Sequence, residues 1–306
     1  MKILIFGSRG FIGRNLTKRL SSMHVVFSSD IQDEVKENYK KLDILDRQSV
    51  FELIKEFKPD ILINLAARTD LRGKNLKDYE VNWQGSVNIC ESISELNYSP
   101  LLIHFSSMLV CKMGHTPNHM DEYCPDTVYG ESKVKSEKVL ELYKKRFPLL
   151  ILRPTTVWGD GAGKPYSTFI SIVSKVGWVK LSIFDSKRDF CHISNLVNIM
   201  IDLVKVRKNI EENYFDKFYI SDNERNSVND LARKISSEKK SLFISLPVFD
   251  FSIKVFIRAL ALFGDFLEII HIKFILNKRR IKNMEMTTNL PVDRLIREIN
   301  RIEKIK

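Results

Sequence analysis

The sequence predicts an α/β fold, in which a doubly wound parallel sheet is followed by a smaller carboxy-terminal α/β substrate domain. Short apolar runs alternate with longer amphipathic stretches through the first half of the chain, and a glycine-rich turn joins the first run to the first stretch. Elements that alternate in this way form βαβ units, because the crossover connections place helices on both faces of a parallel sheet.

Each element follows from its own periodicity. Five apolar runs have the length of buried strands and lie at residues 2–6, 25–28, 61–65, 101–105 and 149–152. Amphipathic stretches of helical length lie between them, at residues 10–22, 47–57, 79–96 and 128–146. A glycine-rich stretch from 159 to 165 then interrupts the alternation. We therefore expect a cofactor-binding domain at 1–157, completed by strands from about 181–222, and a substrate domain over most of 158–306.

Composition excludes several classes of protein. The 306 residues are 44% hydrophobic and 28% charged, which is an ordinary globular mixture. None of the four cysteines forms a C-x-x-C pair, which argues against a zinc ribbon or a disulfide scaffold and favours a reducing compartment. The apolar run at 3–6 is shorter than the roughly 7–15 residues of an export signal. These observations predict a cytoplasmic protein.

The basic charge is uneven along the chain. Twelve basic and six acidic residues follow position 250, so this segment carries +6 of the net charge of +11. No nucleic-acid-binding motif accompanies the charge, and we expect an anionic small molecule as the partner, with no nucleic acid.

The stretch 251–277 is apolar enough to suggest a membrane span. Charged residues interrupt it, among them Lys254, Arg258, Asp265 and Glu268 at largely helical spacing. An amphipathic helix is therefore favoured over a span. Packing on the substrate domain is the favoured role of that helix, and peripheral contact of 251–282 with the inner face of a membrane is the alternative.

The first turn has the spacing of a dinucleotide-binding loop. Gly7, Gly10 and Gly13 form a G-x-x-G-x-x-G motif between the first predicted strand and the first predicted helix. Glycine is needed where the turn is tight and where the backbone approaches a pyrophosphate, which the amino terminus of the helix then binds. A purely structural turn is the alternative, but the strand–turn–helix context favours a cofactor.

Two charged side chains bear on the choice of dinucleotide. Asp30 ends the second predicted strand, where a carboxylate can accept hydrogen bonds from the adenosine ribose and repel a 2′-phosphate. Arg9 favours the opposite choice, because a cation within the glycine loop could pair with that phosphate. We give Asp30 more weight and predict NAD, with NADP less favoured; the alternative is a solvated Asp30 that leaves the preference open.

Candidates also follow the third and fourth predicted strands. Asp43 could accept the adenine amino proton or cap the next helix, although Asp46 is the better-placed cap. Ala66 and Ala67 would let a cofactor approach the backbone closely, but small residues are common at the end of any strand.

Tyr129 and Lys133 are four residues apart, so they share one face of a predicted helix. A free tyrosine titrates near pH 10, and a nearby ammonium together with a bound nicotinamide cation would lower the pKa of the phenol. Such a phenol serves as a general base toward a hydroxyl or a general acid toward a carbonyl. The pair is common by chance in a lysine-rich chain. It follows a strand that ends near Ser107, however, and the Ser107 hydroxyl can hold the same substrate oxygen.

Together these motifs resemble the extended short-chain dehydrogenases/reductases of the nucleotide-sugar epimerase/dehydratase type. The resemblance covers about residues 1–235 and implies a Rossmann-type sheet. It rests on the glycine motif, Asp43-Ile44-Leu45-Asp46, Leu65-Ala66-Ala67, Asn82-x-x-Gly85-x-x-Asn88, Ser106-Ser107, Tyr129 to Lys133, Leu152-Arg153-Pro154 and Arg188-Asp189-Phe190-x-His192. The order and spacing of these motifs are far more specific for the fold and the cofactor than for the reaction.

The resemblance implies Ser107, Tyr129 and Lys133 as catalytic residues. The expected cofactor-binding residues are Gly7, Arg9, Gly10, Phe11, Ile12, Gly13, Asp30, Asp43, Ile44, Leu65, Ala66, Ala67, Asn82, Tyr129, Lys133 and Pro154. The expected substrate-binding residues are Ser107, Thr156 and Arg188. Arg188 matches an arginine that meets the substrate diphosphate, with a surface salt bridge as its alternative. The resemblance also implies a homodimer.

Two departures from the family pattern limit the reaction. Met108 and Leu109 occupy the positions of the Asp-Glu pair of dehydratases and cannot protonate a leaving hydroxyl, so sugar 4,6-dehydration is not expected. Thr156 stands where many epimerases have an asparagine that touches the nucleotide diphosphate. We expect an NAD-dependent epimerase of a nucleotide-activated sugar that acts through a transient ketone. The alternatives are an NAD(P)-dependent reductase or dehydrogenase of a keto-sugar or other carbonyl, and a non-catalytic dinucleotide-sensing protein.

The remaining candidates carry weaker signals. His115 and His119 are four residues apart, but Pro117 lies between them and no clear third ligand is near, so we expect no metal site. Cys111 could be an active-site acid, although a buried apolar role is favoured. Glu122 matches a frequent family acid or simply pairs with a nearby cation.

Overall fold

The computed structural model of the protein describes residues 1–245, 251–252, 255–260, 262 and 278–305. A seven-stranded sheet forms its centre, in the order β10-β6-β5-β4-β1-β2-β3, and every pairing is parallel. Its strands are β1 (Lys2–Phe6), β2 (Val25–Asp30), β3 (Tyr39–Lys41), β4 (Ile61–Asn64), β5 (Leu101–Phe105), β6 (Leu149–Pro154) and β10 (Phe215–Ile220). The predicted Rossmann-type α/β fold is confirmed.

Four helices begin and end near their predicted positions: α1 (Phe11–Leu20), α2 (Arg47–Phe57), α3 (Glu80–Ser94) and α4 (Val128–Glu141). The described residues also form α5 (Tyr166–Lys175), α6 (Ile193–Lys205), α7 (Val228–Lys239), α8 (Lys278–Glu285) and α9 (Arg294–Glu303). The predicted cap of α2 is confirmed, because the Asp46 carboxylate accepts the Ser49 N–H at 3.2 Å. Helix α4 ends at Glu141, five residues before the predicted end, and continues as turns.

Successive side chains of β1 alternate between two apolar clusters, which cover the two faces of the sheet. Ile3 and Ile5 belong to one apolar cluster, which includes residues of α1, α6 and α9. Leu4 and Phe6 belong to a second cluster, built with α2, α3 and α4. All four side chains are almost completely buried, and burial of each contributes roughly 1.5–3 kcal/mol. The sheet is therefore doubly wound, and its strands are apolar on both sides.

The chain beyond β6 forms smaller sheets. β7 (Thr156–Trp158) lies beside β9 (Arg188–His192), which pairs with β11 (Arg225–Asn226), and β8 (Trp178–Lys180) pairs with β12 (Phe243–Ser245). Of the strands expected from 181–222 in the main sheet, β10 joins it and β9 does not. The division into domains at 1–157 and 158–306 stays a prediction.

The carboxy-terminal helix α9 packs against the edge of the main sheet at β10. Arg294 Nη2 lies 3.0 and 3.1 Å from the two carboxylate oxygens of Asp216. The Tyr214 hydroxyl donates to Glu298 at 2.7 Å. Most of the stretch 251–277, with its predicted amphipathic helix, lies outside the described residues. Within the described residues, no helix has the length and apolar character of a membrane span.

Candidate active site

The glycine loop follows β1 at the point where the topology reverses. The chain passes from β1 to β2 on one side and later to β4 on the other, which opens a crevice at the carboxyl ends of the strands. Gly7 has a φ of +78°, and a Cβ there would lie 2.5 Å from the backbone nitrogen of Ala66. A Cβ on Gly13 would overlap the Gly7 carbonyl oxygen. Both positions therefore exclude a side chain, and this brings β1, α1 and the end of β4 into close contact.

The start of α1 is suited to an anion. Its N-cap residue is Gly10, so no side chain caps the first N–H groups. The buried hydroxyl of Ser8, in the same loop, has no hydrogen-bond partner among the described residues. Phe11 and Ile12 form the first turn of the helix and pack against the apolar cluster beneath it. The loop thus presents unpaired donors where the sequence predicts a pyrophosphate.

Asp30 lies at the end of β2, where it was predicted, and its carboxylate is tied to the glycine loop. It accepts the N–H of Arg9 at 3.0 Å and the N–H of Gln32 at 3.1 Å. The Arg9 guanidinium donates to the Gln32 side chain at 3.3 Å and lies 3.4 Å from the Glu34 carboxylate. The charge of Arg9 is therefore partly offset by Glu34 at the same edge.

Residues of α3 shape the loop that carries Asp43 and Ile44. A Cβ on Gly85 would overlap the Ile44 side chain, and the Asn88 amide donates to the Ile44 carbonyl at 2.9 Å. Asp43 itself accepts the Leu45 N–H at 2.9 Å. Gly85 and Asn88 therefore position this loop beside the crevice.

The side chain of Asn82 is hydrogen-bonded to other residues of the protein. Its side-chain oxygen accepts the Arg68 N–H at 2.8 Å, and its amide donates to the Arg68 carbonyl at 3.0 Å and to the Ser132 hydroxyl at 2.8 Å. Through these bonds Asn82 connects the segment that follows Leu65, Ala66 and Ala67 to helices α3 and α4. The predicted contact of Asn82 with the cofactor, like that of Pro154 at the end of β6, stays a prediction.

The three predicted catalytic residues converge beyond the carboxyl end of β5. The Ser107 hydroxyl lies close enough to the Tyr129 phenol to favour its ionised form. Lys133 Nζ donates to the Phe105 carbonyl, two residues before Ser107, at 2.9 Å. Ser107, Tyr129 and Lys133 are all buried, with 8%, 7% and 2% of their surface exposed. A hydroxyl, a phenol and an ammonium are thus gathered in a site that largely excludes water.

The start of α4 fixes the direction of Tyr129. Thr127 caps the helix by accepting the Gly130 N–H at 2.9 Å. A Cβ on Gly130 would overlap the Leu109 carbonyl oxygen, so glycine lets the first turn of α4 lie against the short 3-10 helix at Met108–Val110. This close approach allows Tyr129 to reach Ser107.

Burial dominates the proton affinities of the site. It raises the pKa of Tyr129 to about 12, against the lowering effect of the Ser107 hydroxyl. It lowers the pKa of Lys133 to about 8, although the nearby Glu137 acts in the opposite direction. The expected lowering of the pKa of Tyr129 depends on a bound nicotinamide cation and stays a prediction; in the protein by itself, desolvation of the phenolate raises this pKa.

A buried ion pair behind the catalytic residues was not predicted. Glu137, on α4, and Arg153, at the end of β6, are fully buried. Arg153 donates to the two Glu137 oxygens at 2.9 and 2.6 Å, and the Ser106 hydroxyl donates to the same carboxylate. Arg153 also donates to the Met120 carbonyl at 2.7 Å. The pair therefore joins α4, β6, the end of β5 and the loop before α4.

Thr156 and Arg188 both lie near Tyr166. The sequence analysis did not single out Tyr166. The Thr156 side chain lies close enough to the Tyr166 hydroxyl to favour the ionised form of that phenol. Arg188 is 7% exposed and lies over the Phe190 ring at 4.9 Å. It donates to the Asn283 carbonyl at 3.2 Å, but its Nε has no partner among the described residues.

Arg188 does not form the surface salt bridge that was its alternative role. Within the part of the chain that the structure describes, it pairs with no carboxylate. Burial lowers the pKa of its guanidinium. A buried cation without an acidic partner is costly in free energy, and an anionic ligand would reduce that cost.

Comparison with known proteins shows the family of this chain. Residues 3–214 match the NAD dependent epimerase/dehydratase family. The chain belongs to this family. Its carboxy-terminal 92 residues lie beyond the matched region.

The relatives of this chain catalyse more than one reaction. GDP-6-deoxy-D-talose 4-dehydrogenase of Aggregatibacter actinomycetemcomitans is 29% identical over 216 residues, which are 67% of this chain and 70% of the relative. UDP-glucose 4-epimerase of Vibrio cholerae is 28% identical over 262 residues, which are 80% of this chain and 78% of the relative. The crystal structure of Thermus thermophilus UDP-glucose 4-epimerase complexed with NAD matches with a TM-score of 0.62 at 18% identity, over 81% of this chain and 86% of that one. The last comparison shows the fold alone.

A second cluster of reactive side chains lies in the loop between Ser107 and Tyr129. Atoms of Cys111, His115 and Cys124 that could each bind a metal ion lie within 4.8 Å of one another. His115 is also bonded to Glu122, so the structure shows Glu122 paired with a neighbouring side chain. Burial raises the pKa of the Cys111 thiol to about 12. The expectation of no metal site, made from the spacing of His115 and His119, stays a prediction.

Proposed function

We propose that this enzyme is an NAD-dependent epimerase of a nucleotide-activated sugar that acts through a transient ketone. The observation that carries the proposal is the proximity of the Ser107 hydroxyl to the Tyr129 phenol, together with the hydrogen bond from Lys133 to the carbonyl of Phe105, two residues before Ser107. This trio follows β5, and the glycine loop follows β1, at the same edge of one parallel sheet. This arrangement supports proton transfer by these side chains beside a dinucleotide bound at the glycine loop.

The residues present fit NAD. Gly7 and Gly13 allow the tight turn between β1 and α1, and the uncapped start of α1 supplies N–H donors for a pyrophosphate. Asp30 supplies a carboxylate at the end of β2, and Glu34 partly offsets the charge of Arg9 there. These charges support NAD over NADP. When bound, NAD supplies the hydride acceptor of the first half-reaction and the donor of the second.

Tyr129 is the proton carrier in this proposal. Its phenol takes the proton of a ring hydroxyl as the sugar is oxidised and returns a proton when the ketone is reduced from the other face. Ser107 holds the reacting oxygen through its hydroxyl. Action as a base requires a pKa well below 12, and Lys133 is the cation that the chain places on the same helical face.

Arg188 and Thr156 are proposed to hold the nucleotide diphosphate. The unpaired Nε of Arg188 is a buried donor with a positive charge, which suits a phosphate oxygen. Tyr166 connects the two residues, because it lies near both Thr156 and Arg188. Arg188 would therefore balance the charge of an anionic, nucleotide-linked substrate beside β7 and β9.

A one-way dehydrogenase or reductase of a keto-sugar is the second candidate. It is supported by the 29% identity to GDP-6-deoxy-D-talose 4-dehydrogenase and by Thr156, which stands in place of the asparagine of many epimerases. A homodimer, a cytoplasmic location and peripheral contact of 251–282 with a membrane stay predictions for this enzyme.

The test uses the purified full-length enzyme with UDP-, GDP- and dTDP-linked hexoses, each with and without added NAD and NADH. We expect an epimer by NMR with no net change in the absorbance of reduced nicotinamide. Net consumption of a cofactor would instead support the dehydrogenase or reductase, and turnover of none of these sugars would contradict both proposals. Tyr98→Phe is a suitable control variant, because its hydroxyl donates to the Ile54 carbonyl at 3.2 Å, in another part of the fold.

A further inference from the structure

The loop between β5 and α4 brings two cysteines side by side. Cys111 follows the 3-10 helix at Met108–Val110, and Cys124 lies shortly before α4. A parallel β-bridge joins them: the Cys124 N–H donates to the Val110 carbonyl at 3.0 Å, and the Lys112 N–H donates to the Cys124 carbonyl at 2.9 Å. The backbone therefore sets the spacing of the two thiols.

His115 completes a set of three ligands. One of its ring nitrogens lies within 4.8 Å of both sulfur atoms. His115 Nε2 is 2.5 Å from a Glu122 oxygen, and the other Glu122 oxygen accepts the Asn118 N–H at 2.7 Å and its side-chain amide at 3.1 Å. A carboxylate that holds one nitrogen of an imidazole fixes the ring and leaves the other nitrogen for a metal, which is the common support of zinc-binding histidines.

We propose that Cys111, His115 and Cys124 bind a zinc ion, with Nδ1 as the histidine ligand and Glu122 as a positioning residue. Two sulfurs and one imidazole are a ligand set that Zn²⁺ prefers. Bond lengths of about 2.3 Å to sulfur and about 2.0–2.1 Å to nitrogen would place these atoms about 3.5–3.8 Å apart. One ring nitrogen of His115 and the two sulfurs are within 4.8 Å of one another, so small side-chain rotations, including that of the imidazole, would close the site.

The chemistry of binding is simple. Each thiol loses its proton to solvent as its sulfur bonds the metal, and Cys111 gives up its hydrogen bond to the Glu122 carbonyl. His115 and Cys124 are half-buried, so a water molecule can occupy the fourth position. The ion would close the loop 111–124, which connects the part of the chain carrying Ser107 to the helix carrying Tyr129.

The site departs from the expectation drawn from spacing alone. His115 and His119 are not its pair; the ligands come from both ends of a loop that the backbone closes. A disulfide between Cys111 and Cys124 is the competing chemistry. It would leave the His115–Glu122 arrangement without a role, and it would need an oxidant.

The test measures metal content directly. The full-length enzyme is incubated with Zn²⁺ alone, desalted and analysed by mass spectrometry for metals, and then loaded with Co²⁺ to detect thiolate-to-metal absorption. We expect about one ion per chain. Cys124→Ser should lose the ion and the absorption, whereas His119→Ala, a neighbouring histidine outside the set, should keep both. Glu122→Gln should weaken zinc affinity by roughly 10–100-fold.

Two results would overturn the proposal. One is a wild-type protein with four free thiols that retains neither zinc nor cobalt. The other is a thiol titration, in denaturant without reductant, that finds Cys111 and Cys124 joined as a disulfide. Intrinsic fluorescence of each variant establishes that it is folded before its metal content is compared. If Cys124→Ser fails to fold, His115→Ala replaces it, with the same loss of the ion expected.

Discussion

Neutralising one partner of the buried Arg153–Glu137 pair should destabilise the enzyme strongly. Both side chains are fully buried. In Arg153→Met, the Glu137 carboxylate loses two hydrogen bonds, of 2.9 and 2.6 Å, and keeps those from the Ser106 and Tyr123 hydroxyls. Leaving a buried charge without its partner costs about 3–5 kcal/mol. Because a domain is stable by only about 5–15 kcal/mol, this cost would be a large share of the total.

A double-mutant cycle separates the ion pair from general loss of packing. Glu137→Gln leaves the Arg153 guanidinium unpaired and should cost a similar amount. The double variant removes both charges, so it should be less destabilised than the sum of the single variants by about 3 kcal/mol. The exposed pair of Arg47 and Glu91, at 2.7 Å, is the matched control and should show little coupling, because solvent screens it.

Urea unfolding followed by tryptophan fluorescence gives the free energy of unfolding for each member of the cycle. The reasoning would be refuted if the single substitutions cost less than about 1 kcal/mol each and their effects simply added. It would also fail if the exposed control pair showed coupling as large as that of the buried pair. The Arg153 variant should lose activity as well, since Ser106 precedes Ser107 and shares the Glu137 carboxylate.

Three further predictions concern the cofactor site and pH. Gly7→Ala should abolish tight dinucleotide binding in calorimetry, because a side chain at this positive φ costs roughly 1–2 kcal/mol before any collision; Gly163→Ala, with no atom within 4 Å of its Cβ, should bind normally. Asp30→Asn should raise the affinity for NADP relative to NAD by roughly tenfold, or about 1.4 kcal/mol, and an unchanged ratio would contradict its role. Burial holds the pKa of His104 well below 6.5 in the folded protein. The unfolded chain therefore binds a proton first, and stability should fall by about 1.4 kcal/mol per pH unit as the pH drops below about 6.5. Urea unfolding of His104→Gln should lack this slope, and an identical slope would contradict it.

The sequence was sufficient where local pattern determines structure. The strands β1 and β5 and the helix α2 have the predicted bounds, because apolar runs and helical periodicity reflect contacts near in the chain. The meeting of Ser107 with Tyr129 also followed from position, since one ends a strand and the other begins the next helix.

Sequence patterns could not predict long-range contacts or how deeply individual side chains are buried. Glu137 lies on the same face of α4 as Tyr129 and Lys133, but the spacing does not reveal that its partner is Arg153 of another element. The raised pKa of Tyr129 depends on how completely the fold removes water from the phenol, which four-residue spacing does not report. The proximity of Cys111, His115 and Cys124 was not predicted, because a β-bridge between residues far apart in the chain brings them together.

The proton-transfer role of Tyr129 is tested most directly by the turnover of Tyr129→Phe with a nucleotide sugar that the wild-type enzyme converts. Mass spectrometry of released ligands must show the same bound dinucleotide in both proteins. We expect turnover to fall by roughly 10²–10⁴-fold while the cofactor remains bound. Undiminished turnover by the phenylalanine variant would contradict the account.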